Sequence, residues 1–457
     1  MKAVDGFSRQ LAVALAFVAC SAYMVGGFAG PLDRAVLHGE TDKPRATDYA
    51  RGEEMVFTLS LQGAEPFPAD EYFIAWERTG DDGLTDCGLA PAETSLVIRT
   101  SMNQPGFVRI LARVVDADGS ECRRAFLGDQ TTPEGRIAYN RFEHSDKRIF
   151  FDGGAGVEIA SLQSVSEPED FDAFWAKRKE RLRKVPLEVK TREWPSEDPE
   201  VRVLSFSVSC AGPRPVTGHY TVPVKKGVYP VWIAFQGYGP SFVEKMPGKG
   251  PHDRIQAFIN AHGYELGRED EYYKEFYDSV RSNGHSFGLD SDWQNKSTDT
   301  AYFGWMTYRI MRALEYLKSL PEWDGKCLKA TGGSMGGLQA LWAGSMDPDV
   351  TEVVAWVPWC CDMGGRMTCG RNFAGWGVGE TEALRYFDPV NLVRRMNPKC
   401  RTLIDRAGLG DYCCPPSGVA ILYNNIPGPK RITWVQGSTH GYVPSEKHQE
   451  FSFEKGW

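Results

Sequence analysis

Nowhere in this chain of 457 residues do two cysteines stand in Cys-x-x-Cys spacing, and no histidine lies at ligand spacing from two of them, so no zinc site is expected. Positive charge is also short. Lys and Arg number 52 against 60 Asp and Glu, a formal net charge of −8, which argues against a nucleic-acid partner because phosphate binding needs a basic face. The densest basic run, Lys177 to Lys184, is broken by Glu180 and Leu182 and reads as the solvated face of a helix. There is no apolar run of the roughly twenty residues a membrane helix needs, no internal repeat and no low-complexity tract. What remains, 42% hydrophobic and 25% charged, is the composition of a folded globular protein long enough for two or three domains.

The first thirty residues read as a signal peptide. Lys2 and Arg9 precede an uncharged apolar stretch from Leu11 to Val25 that ends among small residues, with cleavage fitting after Ala22 or near Ala29. The chain is therefore expected to be secreted or periplasmic. Lipoprotein anchoring at Cys20 is the weaker alternative, since Phe17 stands where an aliphatic residue is usual. Export would place the ten remaining cysteines where disulfides persist, and Cys87 and Cys122, isolated in the first half, form the natural pair.

Two periodicities divide the rest. Met55 to Leu61, Tyr72 to Glu77, Ser95 to Thr100 and Gly106 to Val115 alternate in the manner of strands and have turn residues between them. Residues 31–152 are therefore expected to form an immunoglobulin-like β-sandwich with Trp76 in its core. From about residue 153 to 457 strands alternate with helices, which predicts a doubly wound, mostly parallel sheet. The expected elements include a helix opening at Pro168-Glu169-Asp170-Phe171 with Asp170 as cap, a strand Val231–Phe235, a helix Tyr302–Leu320 and a strand Cys327–Thr331.

Gly-x-Ser-x-Gly, the turn that lifts a nucleophilic serine above such a sheet, occurs twice. The copy around Ser286 follows no apolar strand and leads into Asp290-Ser291-Asp292, a polar loop. The copy around Ser334 follows Cys327–Thr331 and opens into the apolar segment Gly336 to Ala343, so context selects Ser334. A serine needs a histidine base and a carboxylate to orient it, in the order Ser, acid, His. Only His440 and His448 come after Ser334. His440 sits in a Gly-flanked loop after the strand Arg431–Val435, whereas His448 lies in a charged segment near the end. Asp411 follows the strand Arg401–Ala407 through Gly408-Leu409-Gly410. Asp405 would lie within that strand, and Asp388, before Pro389, reads as a turn or helix cap. The oxyanion donors are expected to be the backbone amides of Met335 and Tyr238, the latter in Gln236-Gly237-Tyr238-Gly239 after an earlier strand.

From about residue 165 to 445 these segments resemble the acetyl xylan esterase and cephalosporin-C deacetylase family, carbohydrate esterase family seven. Its carriers are Pro168 to Trp175, Gln236-Gly237-Tyr238, Gly332 to Gly337, Gly408 to Asp411 with Pro415-Pro416-Ser417, Tyr423-Asn424-Asn425, Pro429-Lys430 and His440. The resemblance implies an α/β-hydrolase that removes acetyl groups from xylan fragments and related small esters. It implies Ser334, Asp411 and His440 as the triad, Tyr238 and Met335 as oxyanion amides, and no cofactor. An acetylated oligo- or polysaccharide is the implied partner, and an oligomer is compatible with it. The chain departs from the family at Met335, where Gln is usual, at Thr439 and Gly441 around the histidine, and in its added sandwich. Two rivals stand beside this expectation: a related hydrolase acting on a glucuronoyl or feruloyl ester or a peptide bond, and a catalytically silent carbohydrate-binding protein using Trp359, Trp376 and the sandwich as sugar platforms.

Overall fold

The computed structural model describes residues 30–457 apart from 69, 144–146, 240–242, 373–377 and 446. The expected leader up to residue 29, with Cys20, and Trp376 lie outside the described residues. Among the described residues no helix is long and apolar enough to cross a membrane.

The first part of the chain is antiparallel. Along it run β1 (Val36–Thr41), β2 (Met55–Gln62), β3 (Tyr72–Gly80), β4 (Asp86–Pro91), β5 (Leu96–Thr100) and β6 (Gly106–Asp116), then α1 (Pro133–Arg141) and β7 (Phe150–Val157). They sort into a sheet β1-β2-β5 and a sheet β4-β3-β6-β7. Strand β2 shows why they pair face to face. Met55, Phe57 and Leu59 alternate inward and meet Ile74, Ile98, Ile110 and Val114 in one shared core, the period-2 burial of a sandwich. Trp76 is less buried than expected and lays its indole over Gly88 of β4. The expected Cys87–Cys122 pair is not made, and both thiols are free. Cys87 lies on β4 and Cys122 donates its amide to Val114 of β6, with β3 between those strands. Cys122 lies on the flank of β6 away from β3, three strand spacings or about 14 Å from β4, well beyond the roughly 7 Å that a disulfide spans between Cα atoms.

Strand β7 runs through the expected domain boundary at residue 153 and stays with the sandwich up to Val157. It is buried on both faces. Phe151, Ala155 and Val157 belong to the sandwich core, while Asp152 and Gly154 face the second half of the molecule.

That second half begins with α2 (Phe171–Arg183), whose expected cap, Asp170, makes no capping bond and accepts instead from the Tyr386 hydroxyl. There follow β8 (Val189–Trp194), β9 (Val201–Val208), β10 (Val216–Pro223), β11 (Tyr229–Phe235), β12 (Ile255–Asn260), α3 (Asp270–Ser279), α4 (Tyr302–Lys318) and β13 (Trp323–Gly333). The chain then passes through α5 (Met335–Met346), β14 (Glu352–Trp356), α6 (Gly365–Cys369), α7 (Pro389–Val393) and β15 (Arg401–Gly408). It closes with α8 (Pro416–Asn425), β16 (Lys430–Val435) and β17 (Glu450–Lys455). The ten strands form one sheet in the order β17-β16-β15-β14-β13-β11-β12-β10-β9-β8. Neighbours from β12 to β16 are parallel, and β8, β9, β10 and β17 add antiparallel edges. A mixed sheet with this single swap of β11 and β12 is the α/β-hydrolase arrangement, preceded here by the sandwich. Helix α5 is apolar but for Gln339 and Ser345 and is buried along its whole length, which suits a helix at the centre of such a layer. Its Trp342 is fully buried and donates to the Phe387 carbonyl, the partner a buried indole requires.

Candidate active site

Four loops leave the carboxyl ends of β11, β13, β15 and β16 along one edge of the sheet, where ligands bind in open parallel sheets. Ser334 lies in the tightest of them. It joins β13 to α5 with φ 55° and ψ −121°, a strained conformation for a residue with a side chain. The glycines around it are needed for clearance. A Cβ on Gly332 would come within 2.4 Å of the Gly336 backbone, and one on Gly336 within 2.4 Å of the Phe235 carbonyl. The turn is pinned by the Ser334 amide donating to the Trp356 carbonyl at 3.0 Å. Met335 is the first residue of α5, so its amide has no carbonyl within the helix to bond.

His440 brings Nε2 to 3.0 Å from Ser334 Oγ and Nδ1 to 3.0 Å from Asp411 Oδ2. Asp411 is 1% exposed, and its other oxygen accepts the amides of Cys413 and Cys414 at 3.1 and 2.9 Å. One carboxylate oxygen is thus committed to the backbone and the other to the imidazole. Burial alone would push the His440 pKa down, but the hydrogen bond and charge of Asp411 outweigh it and hold the ring above its ordinary value.

The loop after β11 runs beside the elbow, since a Cβ on Gly237 would touch the Gly333 carbonyl at 3.9 Å. Gln236 anchors it. Its amide donates to Tyr277 Oη and accepts from Tyr264 Oη, and its backbone carbonyl accepts from Gln339 of α5. Tyr238 stacks on Phe287, at 4.2 Å between ring centroids, and meets the edge of Trp359 at 5.2 Å. Trp359 lines a pocket of about 570 Å³, counting its open mouth, with Cys360, Met363, Arg371 and Cys413.

Residues weighed against these stand elsewhere. Ser286 sits in the loop between α3 and α4, where neither a strand leads in nor a helix leads out. His448 lies 3.5 Å from Glu450, Asp405 is an exposed position of β15, and Asp388 caps α7 by accepting the Val390 amide.

Other residues of this neighbourhood were not foreseen. Gln436, completely buried just after β16, holds Gly154 of β7 by two bonds, donating to its carbonyl at 2.9 Å and accepting its amide at 2.8 Å. Asp152 of the same strand forms a bidentate pair with Arg109, and the Arg109 guanidinium lies 4.4 Å from the centroid of the Tyr412 ring. Gly410 packs so closely on β7 that a Cβ there would meet the Asp152 carbonyl at 1.9 Å. The acid and histidine loops are therefore both clipped to the sandwich. The glycine pair Gly153-Gly154 was the only local sign, because only small residues admit another backbone so near. Cys413 and Cys414 are the other surprise, with Cys414 Sγ 3.5 Å from His440 Nδ1 across 26 positions of sequence.

Residues 159–370 and 379–456 match the family described as acetyl xylan esterase (AXE1). The acetyl esterase Axe7A of Xylanibacter ruminicola is 31% identical over 286 residues, 58% of this chain, and the chain spans only 62% of that relative's length. Among solved structures, the acetyl xylan esterase from Paenibacillus sp. R4 is 22% identical, covering 62% of this chain and 93% of that one, with a TM-score of 0.48. Acetyl xylan esterase 1 from Thermoanaerobacterium sp. JW/SL YS485 is 21% identical, covering 63% and 94%, with a TM-score of 0.49.

Proposed function

Since the family match takes in well over half of its residues, the chain belongs to the acetyl xylan esterase family, and from that premise we propose that it removes acetyl groups from acetylated saccharides by a Ser-His-Asp mechanism. The observation that carries this reading is the unbroken hydrogen-bonded line from Ser334 through His440 to Asp411 at a strand-to-helix elbow.

In the first half-reaction Ser334 Oγ attacks the ester carbonyl carbon while its proton passes to His440 Nε2. Asp411 holds the Nδ1 proton in place, leaving Nε2 free to accept, and stabilises the imidazolium that forms. The carbonyl oxygen becomes an oxyanion facing the Met335 amide, with the Tyr238 amide as second donor, at the positive end of α5. As the oxyanion collapses, the carbon–oxygen bond to the sugar breaks, His440 gives its proton to the departing sugar oxygen, and the acetyl group stays as an ester on Ser334. In the second half a water takes the place of that alcohol, the same proton path is repeated, and acetate leaves with Ser334 restored. No cofactor takes part in this scheme. Xylan fragments are the proposed substrate class, and export through the leader would bring the enzyme to them.

Acetate release from acetylated xylo-oligosaccharides tests the reading, alongside glucuronoyl and feruloyl esters as competitors. Ser334→Ala should lower turnover at least about 10³-fold, while Ser286→Ala leaves it nearly intact. Equal losses in both variants would reject this choice of elbow.

A further inference from the structure

Asp411, Cys413, Cys414 and His440 each present one ligand atom, and these four atoms lie within 4.8 Å of one another. Two thiols, an imidazole nitrogen and a carboxylate oxygen are the donors that zinc and its softer relatives favour. In a tetrahedral site with metal–sulfur bonds of about 2.3 Å and metal–nitrogen bonds of about 2.0 Å, neighbouring ligand atoms stand roughly 3.3–3.8 Å apart. Cys414 Sγ is already 3.5 Å from His440 Nδ1, and Asp411 Oδ2 is 3.0 Å from it. Bringing a separation of 4.8 Å into that range calls for a closing movement of about 1–1.5 Å, and half-buried Cys413, which lines the open pocket, has room to move. That pocket is also the way in, and the His440 side chain is 30% exposed.

We propose that the chain binds one thiophilic divalent cation, Zn²⁺ or Cd²⁺, through Cys413, Cys414, His440 Nδ1 and Asp411, and that its binding switches hydrolysis off. The second half of this statement rests on the proposed function, while the first does not. Coordination takes the Nδ1 lone pair, so the ring proton that Nδ1 shares with Asp411 moves to Nε2. An Nε2–H facing Ser334 Oγ at 3.0 Å is a donor and cannot accept the serine proton. The two thiol protons leave to solvent as the thiolates bind, the imidazole keeps its single proton, and no electron is transferred. The ring is thereby locked in the tautomer that cannot serve as base.

The test uses the reduced, chelator-stripped full chain titrated with Co²⁺. One equivalent should raise a thiolate-to-cobalt band in the near-ultraviolet with tetrahedral bands in the visible, and Zn²⁺ should bleach both. In parallel, one equivalent of Zn²⁺ should abolish hydrolysis of p-nitrophenyl acetate, and EDTA should restore it. Cys413→Ser should lose about half of the thiolate band and, read against its own metal-free rate, resist Zn²⁺ at least about 10-fold better. Ser334→Ala should keep the full band, which separates the two readings. If Ser334→Ala hydrolyses like the native chain, the functional reading fails and the band still decides the site. Absence of a thiolate band in the native chain overturns the site, as does undiminished Zn²⁺ inhibition of Cys413→Ser, which would put the cation on His440 alone. A full band with unimpaired hydrolysis overturns the switch.

Discussion

Asp411→Asn replaces one side-chain oxygen with an NH2 group and leaves the shape of the residue almost unchanged. Which end of the new amide faces His440 is decided by the backbone. The Cys413 and Cys414 amides converge on one oxygen of Asp411, so the Asn oxygen must stay there to accept them and the NH2 must turn toward His440 Nδ1. Two donors cannot face each other, so Nδ1 gives up its proton and Nε2 carries it. Turnover should then fall about 10⁴-fold, the loss found when another Ser-His-Asp site is changed in this way, or ~5.4 kcal/mol at 1.36 kcal/mol per tenfold. The residual activity should also change its pH dependence. His440 must be neutral to act as base, and Asp411 raises its pKa, so native activity falls as pH drops through that raised value. Removing the charge lowers the pKa and moves the acid limb to lower pH. Steady-state turnover of p-nitrophenyl acetate from pH 5 to 9, with thermal melting to verify the fold, measures both. A loss under tenfold in a variant that melts like the native chain would refute the reasoning.

Three further outcomes are expected. Burial pushes the His262 imidazole down to about 3, so between about pH 6.5 and 3 the unfolded chain takes up a proton that the folded chain refuses, and stability is lost as pH falls through that window. His262→Phe should remove up to about 1.4 kcal/mol per pH unit from the slope of urea-unfolding stability between pH 4 and 6, and an unchanged slope would acquit this histidine. Asp152→Ala leaves the mostly buried Arg109 without its counter-ion and should cost about 3–5 kcal/mol in denaturant unfolding, against which a loss below about 1 kcal/mol would count decisively. Gly410→Ala forces the acid loop off the Asp152 carbonyl and should lower kcat by about 10²-fold with KM little changed, whereas a rise in KM alone would mean that the loop positions substrate instead.

The meeting of Ser334, Asp411 and His440 could be anticipated because each of these positions rests on a local pattern. The strand before Ser334 and the apolar helix after it separate that elbow from the copy at Ser286, and chain order then leaves two histidines to choose between. Strand β7 was hidden by its composition. Phe150–Val157 contains three glycines and an aspartate and is buried on both faces, so it shows no alternation and reads as a boundary. Strand β4 was hidden for the opposite reason, being largely exposed and closed by a proline at a sheet edge. Asp170 stands at the position of a helix cap, but a tyrosine hydroxyl more than two hundred residues away takes its oxygen. The meeting of Cys413 and Cys414 with His440 joins two loops, and no periodicity encodes such a meeting.

The two bonds between Gly154 and Gln436 span 282 positions of chain. At roughly 5–20 residues per second, a ribosome needs about 14 to 56 s to travel from one to the other. For that interval the nascent sandwich presents a finished strand with an empty flank, and the serine elbow emerges without the loops that complete it. The chain thus carries its own delay. Ser334, Asp411 and His440 can meet only once the chain through His440 has been made, and the α/β part cut free at residue 158 would lack the surface against which the Asp411 and His440 loops take shape.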